Sequence, residues 1–146
     1  MKVLLIDGLN LVRRIFSAVS DDDDHVDHEG RVTELVMNSL KRALVFHQPT
    51  HAVGVFDGQG ESWRHKLFPG YKSRRPPMPV ALVRALPIIV SSIEREGVNC
   101  LAYPGYEADD LLASVATKVA CRGGDVVILS TDTGLCQILG PRITVF

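Results

Sequence analysis

Five short runs, KVLLI (2–6), HAVGVF (51–56), VNCLAY (98–103), DVVILS (125–130) and RITVF (142–146), are rich in β-branched residues and bounded by turn formers. Each reads as a strand. A strand with one wet face alternates apolar and polar residues, whereas near-continuous apolar character belongs to strands covered on both faces, as in parallel sheets. Parallel strands need crossover segments, and the apolar spacing predicts helices over 9–19, 31–47, 80–96 and 107–122. Leu35, Val36, Leu40, Leu44 and Val45 form the expected stripe of the second helix, and Leu111, Leu112, Val115, Val119 and Ala120 that of the fourth. The alternation βααβαβαβ, closed by the RITVF run, predicts a three-layer α/β domain with a mainly parallel central sheet and helices on both faces. With 146 residues, 46% of them hydrophobic, the chain suits one domain spanning 1–146.

Several function classes are excluded early. A net charge of -1 carries no global argument for nucleic acid, although a basic patch facing an acidic site disappears in that sum. No segment approaches the ~20 apolar residues of a membrane span, and the run in MKVLLIDGLN is too short for a signal peptide. Cys100, Cys121 and Cys136 are odd in number and include no CxxC pair, so they read as buried thiols of a reducing cytoplasm. A monomeric, cytoplasmic protein is expected.

Acidic residues mark the strand ends. Asp7 follows VLLI, Asp57 follows VGVF, Asp132 follows VVILST, and Glu107, Asp109 and Asp110 in GYEADD come just after VNCLAY. If the strands are parallel, right-handed crossovers bring all these ends to one edge, where α/β proteins hold ligands. An aspartate after a strand is commonly a turn or cap residue, so the weight lies in the set of six. Two carboxylates about 4 Å apart repel by roughly 4 kcal/mol at an effective dielectric near 20. A helix N-terminus returns only about 0.3 to 1 kcal/mol for each, and only three of the six are expected at a helix start. A cation is the remaining explanation. The donors are all oxygens, which selects Mg²⁺ or Mn²⁺ over Zn²⁺, and an open carboxylate crevice holding such an ion points to phosphoryl chemistry.

The connection DGQGESWRHKLFPGYKSRRPPMP (57–79) is basic and unusually long. Arg64, His65, Lys66, Lys72, Arg74 and Arg75 interleave with Trp63, Phe68 and Tyr71. Cations plus aromatics suit single-stranded nucleic acid, whose phosphates meet Lys and Arg while its bases stack. A solvated loop anchored by its aromatics has the same composition, but this one starts at Asp57, within the acidic edge.

Taken together, LLIDGLN, VFDGQGESWRHKLFPGYKSRRPPMP, YEADDLLASVA and ILSTDTGLCQIL resemble the N-terminal, PIN-like nuclease domain of the bacterial 5′-3′ exonucleases and flap endonucleases, nearest the exonuclease IX type. The resemblance runs across nearly the whole chain. It implies a metal-dependent hydrolase of DNA with 5′ flaps or single-stranded 5′ ends. Asp7, Asp57, Glu107 and Asp109 would surround a first metal, with Asp110 and Asp132 toward a second. Tyr71, Lys72 and Arg75 match the family's YKxxR element, in which Lys and Arg steer the scissile phosphate, and Arg14 matches an arginine after the first aspartate. Arg64 and Arg74 are expected on the substrate with them.

Two departures accompany the resemblance. The family's TxDxD is STDTG here, with Gly134 in place of an aspartate, which weakens the second metal position. The family also continues into a helical DNA-binding region with further carboxylates and a potassium site, so a chain of this length is expected to behave as a truncated domain of weak activity. The acidic run DDDDHVDH reads as a solvated loop. Ser130 and Thr131 lack a histidine placed to activate them. Three alternatives stay open: a nucleic-acid-binding domain with weakened catalysis, a PIN-type ribonuclease, and a phosphoacceptor receiver domain. The last normally has a lysine at the end of its final strand, which RITVF lacks.

Overall fold

The most apolar of the five runs becomes the centre of the sheet. In the computed structural model, which describes residues 1–19 and 28–146, strand β1 (Lys2–Asp7) pairs with β2 (His51–Val55) on one side and β4 (Asp125–Leu129) on the other. The outer strands are β3 (Asn99–Leu101) beside β2 and β5 (Ile143–Val145) beside β4, giving the order β3-β2-β1-β4-β5. Every pairing is parallel. The chain builds outward from β1 to β3, then returns to the other side of β1. That reversal leaves a crevice beyond the carboxyl ends of β1 and β4.

Successive side chains of β1 point to opposite faces, and each face has its own core. Leu4 and Ile6 pack with α1 (Gly8–Ala18), α2 (His28–His47) and α4 (Val80–Arg95), while Val3 and Leu5 pack with α5 (Ala108–Cys121) and the 3₁₀ helix Thr133–Ile138. These four β1 side chains are at most 5% exposed, and burial of each is worth roughly 1.5 to 3 kcal/mol. The expected three layers are therefore present.

One expected stripe is wrong. In α2 the buried residues are Val32, Val36, Leu40, Ala43 and His47, whereas Leu35 is 38% and Val45 75% exposed. The face is set by the ladder starting at Val32, and Val45 lies about 100° around the helix from Leu44 at 3.6 residues per turn. The stripe of α5 centres on Leu112 and Ala116, with Leu111, Val115, Val119 and Ala120 partly buried beside them.

The basic connection is more ordered than its composition suggests. It contains the short helix α3 (Trp63–Leu67), then successive turns closed by Tyr71 N–H to Phe68, Ser73 N–H to Gly70 and Arg75 N–H to Lys72. Residues 21–27 of the acidic run lie outside the described residues, and His28 opens α2. All three thiols are free, but only Cys100 is even partly buried; Cys121 and Cys136 are exposed, contrary to the expectation of buried thiols, because both sit on outward faces. Among the described residues no helix is long and apolar enough to cross a membrane.

Candidate metal and nucleic-acid site

All six strand-end carboxylates lie at helix N-termini, more than the three expected. Asp7 caps α1, with Oδ1 accepting from Asn10 N–H at 3.2 Å, and Asp132 caps the 3₁₀ helix, with Oδ1 accepting from Gly134 N–H at 2.7 Å. Asp57 caps a helix distant in sequence: its Oδ1 accepts from Ala108 N–H, the first residue of α5, at 2.8 Å. Glu107 is the N-cap of α5, and Asp109 and Asp110 lie in its first turn. For all but Asp57 the reason is topological, since in an α/β unit the strand end feeds the next helix start. A residue acidic at one is thereby placed at the other.

Capping does not absorb the charge, as the proton affinities show. Burial pushes the Asp109 carboxyl up to about 6, with Asp132, Asp7 and Asp57 adding to the rise and Lys72 opposing it. Asp7, 5% exposed, is likewise raised, chiefly by burial and then by Asp57 and Asp132, against the hydrogen bonds from Ser130 and Asn10. Asp57 and Asp132 thus act on both Asp7 and Asp109, and Asp7 on Asp109, across one crevice. Asp109 takes no hydrogen bond or ion pair among the described residues.

Glu107 and Asp110 are in a different state, because the basic connection folds back onto them. Arg64 grips Asp110 with both terminal nitrogens, at 2.6 Å and 2.8 Å, and Trp63 Nε1 donates to the same carboxylate at 3.1 Å. The Asp110 side chain also accepts the Glu107 N–H at 3.2 Å. Arg64 first, and Trp63 with it, hold Asp110 below the usual carboxylate range. Glu107, 8% exposed, accepts from Lys72 Nζ at 2.8 Å and Tyr71 Oη at 3.0 Å, with Ser62 Oγ at 3.4 Å. Burial pushes Glu107 up, but Lys72, Tyr71 and Arg64 outweigh it and the net shift is downward. The six carboxylates therefore divide into two that form ion pairs and four that form none among the described residues.

The remaining cations expected on substrate are placed differently. Arg74 and Arg75 are exposed on the arm and form no ion pair among the described residues. Arg14 is exposed on α1, where it lines a separate groove with Arg42, Phe46 and Phe146 rather than the carboxylate crevice. Trp63 is occupied twice, as the donor to Asp110 and as the ring beneath Arg64, 4.5 Å from its centroid. Lys72 has φ +55°, a left-handed conformation that a non-glycine residue adopts at a cost of about 1 to 2 kcal/mol.

Two residues at the crevice escaped the sequence reading. Ser130, buried just past β4, donates from Oγ to Asp7 Oδ2 at 2.8 Å and accepts the Asp132 N–H at 3.1 Å. It ties the acids of β1 and β4 together across the reversal point. Asn10 Oδ1 accepts from both Thr131 N–H and Thr131 Oγ1, at 3.2 Å and 3.0 Å, fixing the start of α1 to the loop after β4. The only signal was a short polar residue beside each acid, in STD and DGLN, which also suits an ordinary turn.

The donor set fits a hard divalent cation: carboxylate oxygens only, an unbalanced negative charge, and one oxygen each of Asp7, Asp57 and Asp132 already oriented by a backbone N–H. No three His, Cys, Asp or Glu side chains among the described residues close into a compact ligand cluster.

Comparison with known proteins agrees with the architecture. Residues 2–146 match the family described as 5′-3′ exonuclease, N-terminal resolvase-like domain. Flap endonuclease Xni of Klebsiella pneumoniae subsp. pneumoniae is 41% identical over 145 residues, 98% of this chain and 54% of that protein. Its namesake in Shewanella amazonensis is 42% identical over 142 residues, 97% of this chain and 54% of that protein. The chain spans about half the length of these curated relatives. Among solved structures, the T5 D15 protein co-crystallised with metal ions superposes over 100% of this chain and 55% of its own, with a TM-score of 0.79 at 16% identity. Human GEN1 in complex with Holliday junction DNA matches over 94% of this chain and 33% of its own, with a TM-score of 0.52 at 16% identity. A parallel sheet with acids at its carboxyl edge, a family match from residue 2 to the last residue, and relatives above 40% identity converge: the chain belongs to the 5′-3′ exonuclease family, as its N-terminal resolvase-like domain.

Proposed function

We infer that residues 1–146 form the catalytic domain of a divalent-metal-dependent phosphodiesterase acting on DNA with 5′ flaps or single-stranded 5′ ends. The observation that carries this reading is the group of four carboxylates at one edge, Asp7, Asp57, Asp109 and Asp132, which form no ion pair among the described residues beside a cation-bearing arm.

These four carboxylates would hold Mg²⁺ or Mn²⁺, with Glu107 joining when Lys72 leaves it and Asp110 kept as the anchor of the arm. A divalent cation there supplies Lewis acidity to a phosphoryl oxygen and acidifies water. The chain supplies the rest. Ser130 fixes the rotamer of Asp7, Arg74 and Arg75 present exposed guanidinium groups to the DNA backbone, and Lys72 with Tyr71 stands at the rim where a scissile phosphate would lie. The relatives named flap endonuclease and the T5 D15 flap endonuclease complex with DNA and metal ions support the 5′-flap substrate for this chain. We place the protein in the cytoplasm as a monomer, a setting that its free thiols suit.

Cleavage of a 5′-labelled flap DNA with Mg²⁺, with Mn²⁺ and with EDTA tests the reading. Release of the flap in either metal and none in EDTA is expected. Cleavage indifferent to EDTA, or preference for an all-RNA flap, would overturn it. A second reading, DNA binding without cleavage, is favoured by Gly134, where a family carboxylate is missing, and would show as metal-dependent flap binding with no product.

A further inference from the structure

We propose that the cleft between α1 and α4, beside the carboxylate crevice, is a subsite for one unpaired nucleobase of the DNA strand being cut. The cleft has a volume of about 440 Å³ and walls formed by Leu9, Phe56, Met78, Leu86 and Val90. This inference rests on the phosphodiesterase reading above and adds to it where the substrate's base goes.

Its position is the first argument. Asp57 belongs to both places: its Oδ1 accepts from Ala108 at the start of α5, while the residue itself lines the cleft on the side of α1 and α4. A phosphate held at the carboxylates therefore has its attached nucleoside at the mouth of the cleft. The arm gives the second argument. Its two roots, Asp57 with Gln59 and Met78, both line the cleft, and the exposed cations Lys66, Arg74 and Arg75 lie between those roots in the chain. A strand drawn along the arm toward the acids passes this opening.

The chemistry of the walls is the third. A nucleobase needs apolar flat surface for its faces and a few polar groups at its edge, with a cation for the flanking phosphate. Phe56 supplies the flat surface. Gly8 is a requirement for it, because a Cβ there would run into the Phe56 ring, so the ring lies over the start of α1. Pro87 on α4 adds wall without a backbone donor. The Gln59 amide is the edge group. Arg13, one turn beyond Leu9 on α1, is exposed at the rim and has no ion-pair partner among the described residues, which leaves it for a phosphate. A peptide would need a row of backbone partners that these walls do not offer, and a lipid has no use for a cleft that opens onto unpaired carboxylates.

The test is a series of flap DNAs, each carrying one abasic residue within three nucleotides of the cleaved bond. Binding is measured by fluorescence anisotropy with Ca²⁺, and cleavage in single turnovers with Mg²⁺. One position next to the bond should weaken binding roughly tenfold, near the lower end of the loss seen when a base–aromatic stack is removed, and its neighbours less than twofold. The variant Met78→Gln should bind intact DNA about as weakly as the wild type binds that abasic DNA, and should show no further loss with the abasic DNA. A uniform abasic profile on DNA that is still cut overturns the subsite and leaves the nuclease reading standing. A sensitive position that Met78→Gln does not suppress places the base elsewhere and also overturns it. If no DNA is bound or cut in any metal, the nuclease reading fails and the subsite fails with it.

Discussion

Asp109 and Asp110 are neighbours in sequence, yet replacing each with asparagine should move metal-free stability in opposite directions. Asp109 has no hydrogen bond or ion pair to lose among the described residues, and its carboxyl sits at about 6 instead of 3.8 because burial and three other acids disfavour its charge. At about 1.36 kcal/mol per pH unit, that difference is worth roughly 3 kcal/mol in a fully shielded site. Asp109 is partly open to solvent, so about 1 to 2 kcal/mol is the fairer figure. A raised acid contributes stability that is fully present below its unfolded value near 3.8 and lost as pH rises through about 6. The metal-free wild type therefore carries the penalty above pH 6, and Asp109→Asn removes it. For a chain of this size the gain is about 3 to 6 °C in Tm at pH 8, shrinking toward zero at pH 4.

Asp110→Asn does the reverse. It breaks the two-pronged Arg64 contact and weakens the Trp63 bond, interactions between partly buried groups, at a cost of about 1 to 3 kcal/mol at neutral pH. Thermal melts of both variants in EDTA between pH 4 and pH 8 make the comparison, repeated with Mg²⁺ to show that Asp109→Asn loses most of the stabilisation that metal gives the wild type. If Asp109→Asn melts no higher than wild type in EDTA at pH 8, or gains as much at pH 4, then Asp109 is not under electrostatic stress. The argument for a cation there would lose its support.

Two further substitutions probe the same crevice. Ser130→Ala should leave the fold intact but weaken Mg²⁺ binding by calorimetry about three- to tenfold, because Asp7 loses a hydrogen bond worth about 1 kcal/mol that fixes its rotamer; Ser130→Thr should restore most of the affinity, and an unaffected titration would assign Ser130 to packing alone. Lys72→Met should tighten binding of the metal by itself several-fold, since it removes the nearer of the two cations paired with Glu107 and leaves Arg64 at 3.5 Å, while weakening binding of flap DNA in Ca²⁺. Arg75→Met, which touches no carboxylate, should affect only the DNA, and equal metal affinities for wild type and Lys72→Met would refute competition at Glu107.

What could be read from the sequence was whatever the local pattern determines. Continuous apolar runs identify strands covered on both faces, and an acid shortly after four of the five runs falls at the carboxyl edge wherever the helices pack. The stripe of α2 was not legible because Leu35 and Val45 are as apolar as Val32 and Leu40, and only packing against α4 decides which of them face inward. The division of the six acids was not legible either. Whether Arg64 and Lys72 reach Glu107 and Asp110 or extend into solvent depends on how a 23-residue connection folds over contacts 35 to 46 residues apart in the chain. Ser130 was dismissed for want of a histidine, although its use is to hold a carboxylate rather than to attack.

The placement of Lys72 links two events that the composition of the arm leaves separate. One ammonium group cannot serve Glu107 and a phosphate equally, and here it is 2.8 Å from Glu107 in a left-handed backbone conformation that is costly for lysine. Arg64 Nη1, 3.5 Å from Glu107, leaves that carboxylate partly compensated when the lysine departs, and on the proposed function a divalent ion held by the neighbouring acids would compensate the rest. On that function, entry of the ion would free the lysine for the DNA backbone, and by linkage DNA that captures the lysine would raise the affinity for the ion by the same factor. Arg64 need not move, because Asp110 holds it by both prongs and so keeps the arm attached to α5 through the exchange. On this view the arm is anchored at Asp110 and exchangeable at Glu107, and two acidic positions three residues apart at one helix start do unlike work.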